Sequence, residues 1–265
     1  MADDQAAPEE IVTVEVGGGV GVVTMRRPAL SRAAKEQLLA GLRRLSDDEA
    51  VRAVVLTGTG KVFCAGQDLG EHAAVLDANP AGAFDTLTEH YHPIVQALAG
   101  MPKPVVAAVN GTCAGAGISL ALACDLRVCS AAAKFATAFT AIGLTFDSGL
   151  SATLTRALGT ARASELILLA EPFTAQQALD WGLVGRLADP DRVLPESLEL
   201  AQRLAAGPTL AYAEAKRAIQ AAALPALPEV LAAEQAAQSR LGQTADHKHA
   251  VRAFLAKERP VFQGR

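Results

Sequence analysis

The sequence has few aromatic residues, few cysteines and no concentration of positive charge. Its 265 residues include 24 Lys and Arg against 28 Asp and Glu, and Lys and Arg form runs no longer than pairs such as Arg26–Arg27. Nucleic-acid-binding proteins usually carry a dense basic face, so this composition argues against nucleic acid as a partner. The four cysteines, Cys64, Cys113, Cys124 and Cys129, form no Cys-x-x-Cys pair. We therefore expect buried, reduced thiols in a cytoplasmic protein.

Long apolar runs and metal-binding patterns are also absent. The most apolar segment, residues 118–126, contains Ser119 and Asp125 and is shorter than the roughly 18 residues of a membrane span. The acidic N-terminus does not resemble a secretory signal, and we expect a soluble protein. The histidine pairs 90/92 and 247/249 are two residues apart, a spacing that points side chains apart on a helix, so we expect no bound metal.

Strand patterns are clear in the first half of the chain. Residues 11–16 and 20–25 flank three glycines and predict a β-hairpin. The β-branched run 51–57 and the apolar run 104–109 predict strands buried on both faces. Each of these two runs is followed by a glycine-rich turn, which ends the predicted strand.

Helical patterns alternate with these strands. Residues 35–45 carry leucines at helical spacing, residues 112–123 predict a buried helix of small side chains, and residues 174–181 predict a helix with Thr174 as its N-cap. From Leu194 onward only helical patterns occur, with prolines as boundaries. This order predicts an α/β core followed by a helical C-terminal extension.

The two glycine-rich turns are candidate ligand-binding loops. They run from Gly58 to Leu69 and from Asn110 to Gly117. Small residues let a ligand approach the backbone N–H groups, and the second turn opens a helix, whose N-terminus favours negative charge. Val62 follows Gly60–Lys61 where a phosphate-binding loop needs Ser or Thr. Ordinary tight turns at strand ends explain these glycines equally well from the residues alone.

Several segments, in order along the chain, carry a family resemblance: Lys61-Val-Phe-Cys-Ala-Gly-Gln-Asp-Leu69, Pro102-Lys-Pro-Val-Val-Ala-Ala-Val-Asn-Gly111, Ala114-Gly-Ala-Gly117, Leu120-Ala-Leu-Ala-Cys-Asp125 and Phe254-Leu-Ala-Lys-Glu-Arg-Pro-Val-Phe-Gln-Gly264. They resemble the crotonase family, the enoyl-CoA hydratase/isomerase superfamily. The resemblance implies an α/β spiral of ββα units over residues 1–200 that binds acyl-CoA. It also implies a helical region over residues 201–265 that forms trimers, often paired into hexamers, and covers the active site.

The resemblance further implies an oxyanion hole for a coenzyme A thioester. By motif position its two donors are the backbone N–H groups of Gln67 and Ala116. Such donors stabilise the negative charge of a thioester enolate by about 3 kcal/mol each. Coenzyme A enters as part of the substrate, so the resemblance implies no separate cofactor.

The sequence departs from the hydratases of this family at their two catalytic glutamates, where it has Ser119 and Phe139. A carboxylate occurs instead at Asp147, beside Phe146, in a segment that is similar to Asp-x-Gly segments of isomerase-like members. An apolar setting would raise its pKa and suit proton transfer, which favours enoyl-CoA isomerisation with Asp147 as acid and base. The alternatives are a hydratase with a rearranged site, a nucleophilic Asp147 as in the dehalogenase branch, and an acyl-CoA-binding protein without turnover. Asp147 as a helix N-cap is a further alternative.

The resemblance also implies a set of substrate and CoA contacts. They are Arg27, Ala29, Leu30, Ala65, Gly66, Asp68, Leu69, Gly115, Phe139 and Ile142, with Lys257 and Phe262 reaching a neighbouring subunit's CoA. Arg26 stands where the family usually has Asn, so the nucleotide contacts differ from the usual pattern. Glu89, His90 and Tyr91 occupy a segment that often lines the acyl pocket, although a solvated helix face is the favoured interpretation.

Overall fold

Two β-sheets organise the core. The computed structural model describes residues 9–223 and 227–263. The larger sheet has the order β1-β2-β3-β5-β7-β10, with β1 Val12–Gly17, β2 Val20–Met25, β3 Ala53–Gly58, β5 Val105–Val109, β7 Leu126–Ser130 and β10 Arg186–Ala188. The smaller sheet has the order β4-β6-β8-β9, with β4 Val62–Cys64, β6 Thr112–Ala114, β8 Lys134–Ala136 and β9 Phe173–Thr174. Apart from the β1–β2 hairpin and the β8–β9 pair, neighbouring strands are parallel.

Helices connect and cover these sheets. They are α1 Arg32–Asp47, α2 Leu69–Ala78, α3 His92–Gly100, α4 Ala116–Ala123, α5 Leu150–Leu169, α6 Ala175–Asp180, α7 Val193–Ala205, α8 Thr209–Ala223, α9 Leu227–Gly242 and α10 Ala245–Ala256. Short 3-10 turns occur at Pro80–Gly82 and Thr140–Ile142, and a π-helical turn at Leu87–Tyr91 precedes α3. None of the helices among the described residues combines the length and the apolarity needed to cross a membrane.

The apolar runs of β3 and β5 are explained by burial on both faces of the large sheet. Val54 and Leu56 belong to the main core, which α1 also enters, whereas Ala53 and Val55 pack on the opposite face with α7. Successive side chains of a strand point to opposite faces, so a strand covered on both sides needs an uninterrupted apolar sequence.

The two sheets repeat one unit along the chain. A long strand of the large sheet (β3, β5 or β7) is followed by a short strand of the small sheet (β4, β6 or β8), and the first two pairs each lead into a helix. This is the ββα spiral that the sequence resemblance implied. Because the short strands are parallel neighbours, their C-terminal ends lie together, and the loops that follow them converge on one place.

Most predicted elements occur where the sequence indicated them, with one correction. The hairpin, the two buried strands and the Thr174 cap are confirmed; Thr174 and Gln177 form a reciprocal capping box. The predicted helix over 112–123 is wrong at its start, because Thr112–Ala114 pairs between two strands as β6 and Gly115 separates it from α4. Among the described residues, every regular element after Leu194 is a helix, as predicted. Pro225, one of the predicted helix boundaries, lies outside the described residues.

The C-terminal helices pack back onto the core of the same chain. Helix α9 contacts α5, and α10 contacts α2 and the Thr140–Ile142 turn. On α8, Lys216 donates to the Asp125 carboxylate at 2.8 Å and to the Leu98 carbonyl at 2.9 Å. A division of the chain at residue 200 stays a prediction, and α7 runs across that point.

Candidate active site

The loops after β4 and β6 touch through glycines. A Cβ atom on Gly66 would lie 3.2 Å from the carbonyl oxygen of Ala114 and 3.3 Å from the nitrogen of Ala116. A Cβ atom on Gly117 would overlap the carbonyl oxygen of Cys64. Gly66 also has a φ of +87°, which side-chain-bearing residues rarely adopt. The glycines of both motifs are therefore needed for the backbones to approach this closely.

The backbone N–H groups of Gln67 and Ala116 lie in the two loops that meet at this junction. Around Gln67, the N–H of Leu30 donates to the Gly66 carbonyl at 2.8 Å and the N–H of Asp68 donates to the Leu30 carbonyl at 3.2 Å. Ala116 is the first residue of α4, where N–H groups have no partner within the helix. Within the described residues, no protein acceptor takes the N–H of Gln67 or of Ala116. Both donors are therefore available to a ligand, and the one at the helix start also favours negative charge there.

A cavity of about 460 Å³ opens beside these donors. Most of its lining is apolar and includes Phe84, Leu87, Phe139, Ile142 and Leu144, and its polar side chains include Gln67, His72, Thr86, Tyr91, Asp147, Gln238 and Glu258. Apolar cavities with a few placed polar groups are typical of small-molecule sites. The cavity contains both predicted oxyanion donors and the predicted catalytic carboxylate.

Asp147 is buried at the inner side of this cavity. Its Oδ2 accepts a hydrogen bond from Gln238 Nε2 at 3.1 Å, and its Oδ1 has no hydrogen-bond partner in the described part of the chain. Burial raises the pKa of this carboxyl from 3.8 to about 7, since removal from water penalises the charged form. The Ser148 hydroxyl opposes this rise in pKa, as do the Gln238 amide and the Lys35 ammonium, whereas the nearby Glu234 carboxylate raises the pKa further.

Glu234 takes the capping role that the sequence left open for Asp147. The carboxylate of Glu234 on α9 accepts the N–H of Gly149 at 2.6 Å and the N–H of Ser151 at 2.8 Å, at the start of α5. The cap residue of α5 is Gly149, and no side chain of that residue contributes. The interpretation of Asp147 as a helix cap is therefore wrong, because its carboxylate faces the cavity while another carboxylate satisfies the helix.

Comparison with known proteins identifies the family. Residues 15–265 match the family model described as enoyl-CoA hydratase/isomerase. The chain belongs to the enoyl-CoA hydratase/isomerase family. It is 37% identical to the 1,2-epoxyphenylacetyl-CoA isomerase of Escherichia coli over 97% of this chain and 99% of that protein. It is 42% identical to a Rhodobacter capsulatus protein named "Probable enoyl-CoA hydratase" over 96% and 98% of the two chains.

A solved structure agrees with this assignment. The enoyl-CoA hydratase of Mycobacterium avium subsp. paratuberculosis superimposes with a TM-score of 0.85 at 34% identity, covering 97% of this chain and 100% of that one. Enzymes of the enoyl-CoA hydratase/isomerase family act on acyl-CoA thioesters. Such a substrate fits a cavity that is lined by Gln67 and Ala116, the two residues whose backbone N–H groups are the predicted oxyanion donors. The relatives include both a hydratase and an isomerase by name, so the family leaves the reaction open.

A buried lysine holds the side chain of Gln67, the residue whose backbone N–H is the first of the two donors. Lys35 of α1 donates to the side-chain oxygen of Gln67 at 2.9 Å and to Thr86 Oγ1 at 2.7 Å. Burial lowers the pKa of Lys35 to about 8, so the side chain remains mostly protonated at neutral pH. The sequence contained a signal for this residue, because Lys35 falls on the same helical stripe as Leu38, Leu42 and Leu45, all buried.

Tyr91 makes the second contact to the same oxygen. Its hydroxyl donates to Gln67 Oε1 at 2.8 Å, and Tyr91 and His90 are both buried. The favoured interpretation of residues 89–91 as a solvated helix face is therefore wrong for these two residues and holds for Glu89. Leu87, His90, Tyr91 and Ile94 are buried at the i, i+3, i+4 and i+7 spacing of one helix face, so His90 and Tyr91 belong to the face that packs on the core.

A pair of histidines joins α2 to α10 beside the cavity. The Nε2 atoms of His72 and His247 are 2.9 Å apart, and His247 Nδ1 is 2.6 Å from the Ile142 carbonyl oxygen. A carbonyl oxygen can only accept, so Nδ1 of His247 carries the proton, and His72 donates from Nε2. Burial lowers the pKa of His72 to about 4, which keeps it neutral. Among the described residues, no group of three His, Cys, Asp or Glu side chains could hold a metal ion.

Of the twelve residues that the resemblance implies as substrate and CoA contacts, six line the cavity and six do not. Those that line it are Ala65, Gly66, Leu69, Gly115, Phe139 and Ile142. Three of the remaining residues have structural surroundings of their own: Leu30 is buried, Asp68 caps α2, and Arg27 pairs with Glu9. Ala29 is half-buried, and Lys257 and Phe262 are exposed. Their contacts with CoA stay predictions.

Ser119 contacts the chain segment that carries Asp147. It is buried, and its hydroxyl donates to the backbone carbonyl of Asp147 at 3.3 Å. The side chain therefore supports the backbone that carries the carboxylate, as an ordinary hydroxyl on a buried helix does.

Proposed function

We propose that this protein is an enoyl-CoA isomerase in which Asp147 moves a proton between two carbons of the acyl chain. One observation carries the proposal. The buried Asp147 carboxyl, whose pKa is about 7 and whose Oδ1 has no hydrogen-bond partner among the described residues, lines the same cavity as Gln67 and Ala116. A general base works best when its pKa lies near the working pH.

The reaction follows from this arrangement. The thioester oxygen accepts hydrogen bonds from the two amides, and ionised Asp147 removes a proton from C2 of a 3-enoyl-CoA. The electron pair of that C–H bond moves onto the thioester oxygen as a dienolate, which the amides stabilise by several kcal/mol. The carboxylic acid of Asp147 then returns the proton to C4, which leaves a 2-enoyl-CoA and the ionised carboxylate. No other reactant is consumed.

Hydration is the competing function within the family. It needs groups that position and split water, and the two glutamate positions of the hydratases are Ser119 and Phe139 in this chain. Of the acidic side chains that line the cavity, Asp147 is buried and Glu258 is exposed. A single buried carboxylate supports proton transfer between two carbons of one substrate more directly than addition of water by a carboxylate pair.

The wider setting is proposed with the reaction. We propose a cytoplasmic enzyme of fatty acid metabolism that needs no cofactor apart from the CoA of its substrate and assembles as a homotrimer or hexamer. Exposed apolar side chains on α5 and α8 support assembly, namely Leu168, Leu169, Leu210 and Ile219. Light scattering during gel filtration measures the mass in solution, and a monomeric mass contradicts the assembly.

A direct assay tests the proposed reaction. The purified protein is incubated with a 3-enoyl-CoA and with a 2-enoyl-CoA, and products are followed by absorbance and mass. Conversion of the 3-enoyl isomer without a change of mass supports isomerisation. A gain of one water identifies a hydratase, and tight binding without turnover identifies a binding protein.

The Asp147→Asn variant assigns the residue. It is expected to lose isomerase activity by at least a hundredfold, because general acid–base groups contribute about 10²–10⁴-fold. Asp180→Asn, an exposed aspartate on α6, is the matched control and is expected to retain full activity. An Asp147→Asn variant with the wild-type rate overturns the assignment.

A further inference from the structure

Two side chains of α9, one helical turn apart, hold the chain segment that carries Asp147 at four points. Gln238 accepts the N–H of Thr145 at 3.1 Å through Oε1 and donates to Asp147 Oδ2 at 3.1 Å through Nε2. Glu234 accepts the N–H groups of Gly149 and Ser151. Both side chains are buried. Residues i and i+4 of a helix share a face, so one face of α9 holds the segment on both sides of Asp147.

The orientation of the Gln238 amide is dictated by its surroundings. The backbone N–H of Thr145 can only donate, so the amide oxygen must face Thr145. The NH₂ group must then face Asp147, where it occupies Oδ2. Because the NH₂ group of Gln238 donates to Oδ2, the proton that the carboxyl gains and loses is assigned to Oδ1, which has no hydrogen-bond partner in the described part of the chain. The Ser148 hydroxyl also acts on this carboxyl, and it lowers the pKa of Asp147.

Glu234 acts on the same carboxyl in a different way. Its two oxygens accept two N–H groups, which an amide in its place could not do, because an NH₂ group would face one of those donors. Because Glu234 accepts the N–H groups at the start of α5, the Asp147 side chain is not needed as a cap of that helix. It also places a second negative charge near Asp147.

We propose that Glu234 and Gln238 are positioning residues for Asp147, with Gln238 fixing Oδ2 so that Oδ1 is the proton-transfer atom and Glu234 replacing Asp147 as the cap of α5. This proposal rests on the proposed isomerase function. The other charged or titratable groups that act on Asp147 are Lys35 on α1 and Tyr91 on the π-helical turn, and both remain in place in the experiment below.

The experiment measures the pH profile of kcat/KM for variants of the full-length enzyme. Gln238→Leu removes a hydrogen bond to the ionised carboxylate, so the midpoint is expected to rise by about half a pH unit or more. Glu234→Gln removes a like charge, so the midpoint is expected to fall by a similar amount. Each variant is also expected to lower kcat about tenfold through loss of orientation.

Matched controls lie on the same helix. Gln235→Leu changes a half-buried glutamine three residues before Gln238, and Glu229→Gln removes an exposed charge from the first turn of α9. Both are expected to keep the wild-type midpoint and rate. If the Glu234→Gln variant does not fold, Gln238→Glu provides the second test. This variant keeps an acceptor for the N–H of Thr145 but places a carboxylate oxygen next to Asp147 in place of the NH₂ donor. The midpoint of its pH profile is expected to rise.

Unchanged midpoints in the folded Gln238 variants, or shifts of the Gln238→Leu and Glu234→Gln variants in the same direction, overturn the proposal. A merely structural role would lower stability and rate without moving the midpoints apart. Failure of the proposed function has a separate signature, because it is read from an Asp147→Asn variant that retains isomerase activity.

Discussion

The ammonium of Lys35 lies 2.9 Å from the side-chain oxygen of Gln67, whose own backbone N–H is one of the two donors at the cavity. Tyr91 donates to the same oxygen, so both lone pairs of that oxygen are occupied and the residue is held from two sides. A buried cation near an oxyanion site also favours the negative charge that develops there.

Replacing Lys35 with Met is expected to lower kcat/KM about tenfold, which corresponds to about 1.4 kcal/mol. The midpoint of the pH profile is expected to rise as well, because the Lys35 charge lowers the pKa of Asp147. Steady-state kinetics across pH measures both effects. Lys103→Met is the control: Lys103 is buried too, but it donates to the Leu45 and Asp48 carbonyls at the end of α1. A midpoint that moves equally in both variants contradicts the role of Lys35.

Gly66→Ala is expected to lower kcat by about a hundredfold, the typical effect of displacing one oxyanion donor. The new methyl group would crowd the nitrogen of Ala116 at 3.3 Å, in addition to the backbone strain. Gly60→Ala provides the comparison, since Gly60 has a φ of +65° but an added Cβ atom there meets nothing within 4 Å. That variant is expected to lose about 1 kcal/mol of stability and to keep its activity. Equal activity losses in both variants would show that strain alone is responsible.

The activity of the wild-type enzyme is expected to rise with pH around a midpoint of about 7. In the proposed reaction the proton acceptor is ionised Asp147, whose pKa burial raises to about 7 in the folded protein. Below this pH the carboxyl is protonated and cannot remove a proton from C2. The kcat/KM for a 3-enoyl-CoA, measured between pH 5 and 9, gives the midpoint. A midpoint near 4 would show that Asp147 behaves as an ordinary solvated carboxylate.

Asp147→Asn is expected to be more stable than the wild type at pH 8 by on the order of 3 kcal/mol. The pKa of Asp147 is about 7 in the folded state against 3.8 as the ordinary value, so between these pH values the folded state binds more protons than the unfolded state. Stability is therefore lost as pH rises through this window, and the asparagine variant is spared that loss. Urea unfolding of both proteins at pH 4 and pH 8 measures the difference, with Asp180→Asn as control. A difference that is the same at both pH values contradicts the shifted pKa.

Local patterns predicted an α/β core with a helical C-terminal extension, whereas the ββα spiral and the backbone donors at Gln67 and Ala116 were implied only by the family resemblance. Strands buried on both faces require apolar runs, and β3 and β5 have them. The glycines at 66, 115 and 117 occupy positions where only hydrogen fits or where φ is positive, so these residues are required for the backbone conformation of the two loops. Asp147 was selected because its segment is similar to Asp-x-Gly segments of isomerase-like family members and Ser119 and Phe139 occupy the glutamate positions, and the structure places Asp147 at the cavity.

The side chains that support the site were harder to find. Glu234 and Gln238 lie 87 and 91 residues after Asp147, and neither forms a recognisable motif with it. Their role depends on how α9 packs against α5, which is a property of the tertiary fold. Tyr91 did have a signal in the sequence, because Leu87, His90, Tyr91, Ile94 and Val95 are buried at the i, i+3, i+4, i+7 and i+8 spacing of one helix face.

The attachment of Asp147 to α9 has a consequence for protein synthesis. The ribosome makes both sheets before it makes α9, so the ββα spiral can form while the segment at 145–151 still lacks its four hydrogen bonds. The Asp147 carboxylate therefore acquires its orientation only after residue 238 has left the exit tunnel. If the proposed reaction holds, a nascent chain that is interrupted before that point would carry the proposed oxyanion donors without an oriented Asp147, and it is expected to bind substrate without converting it.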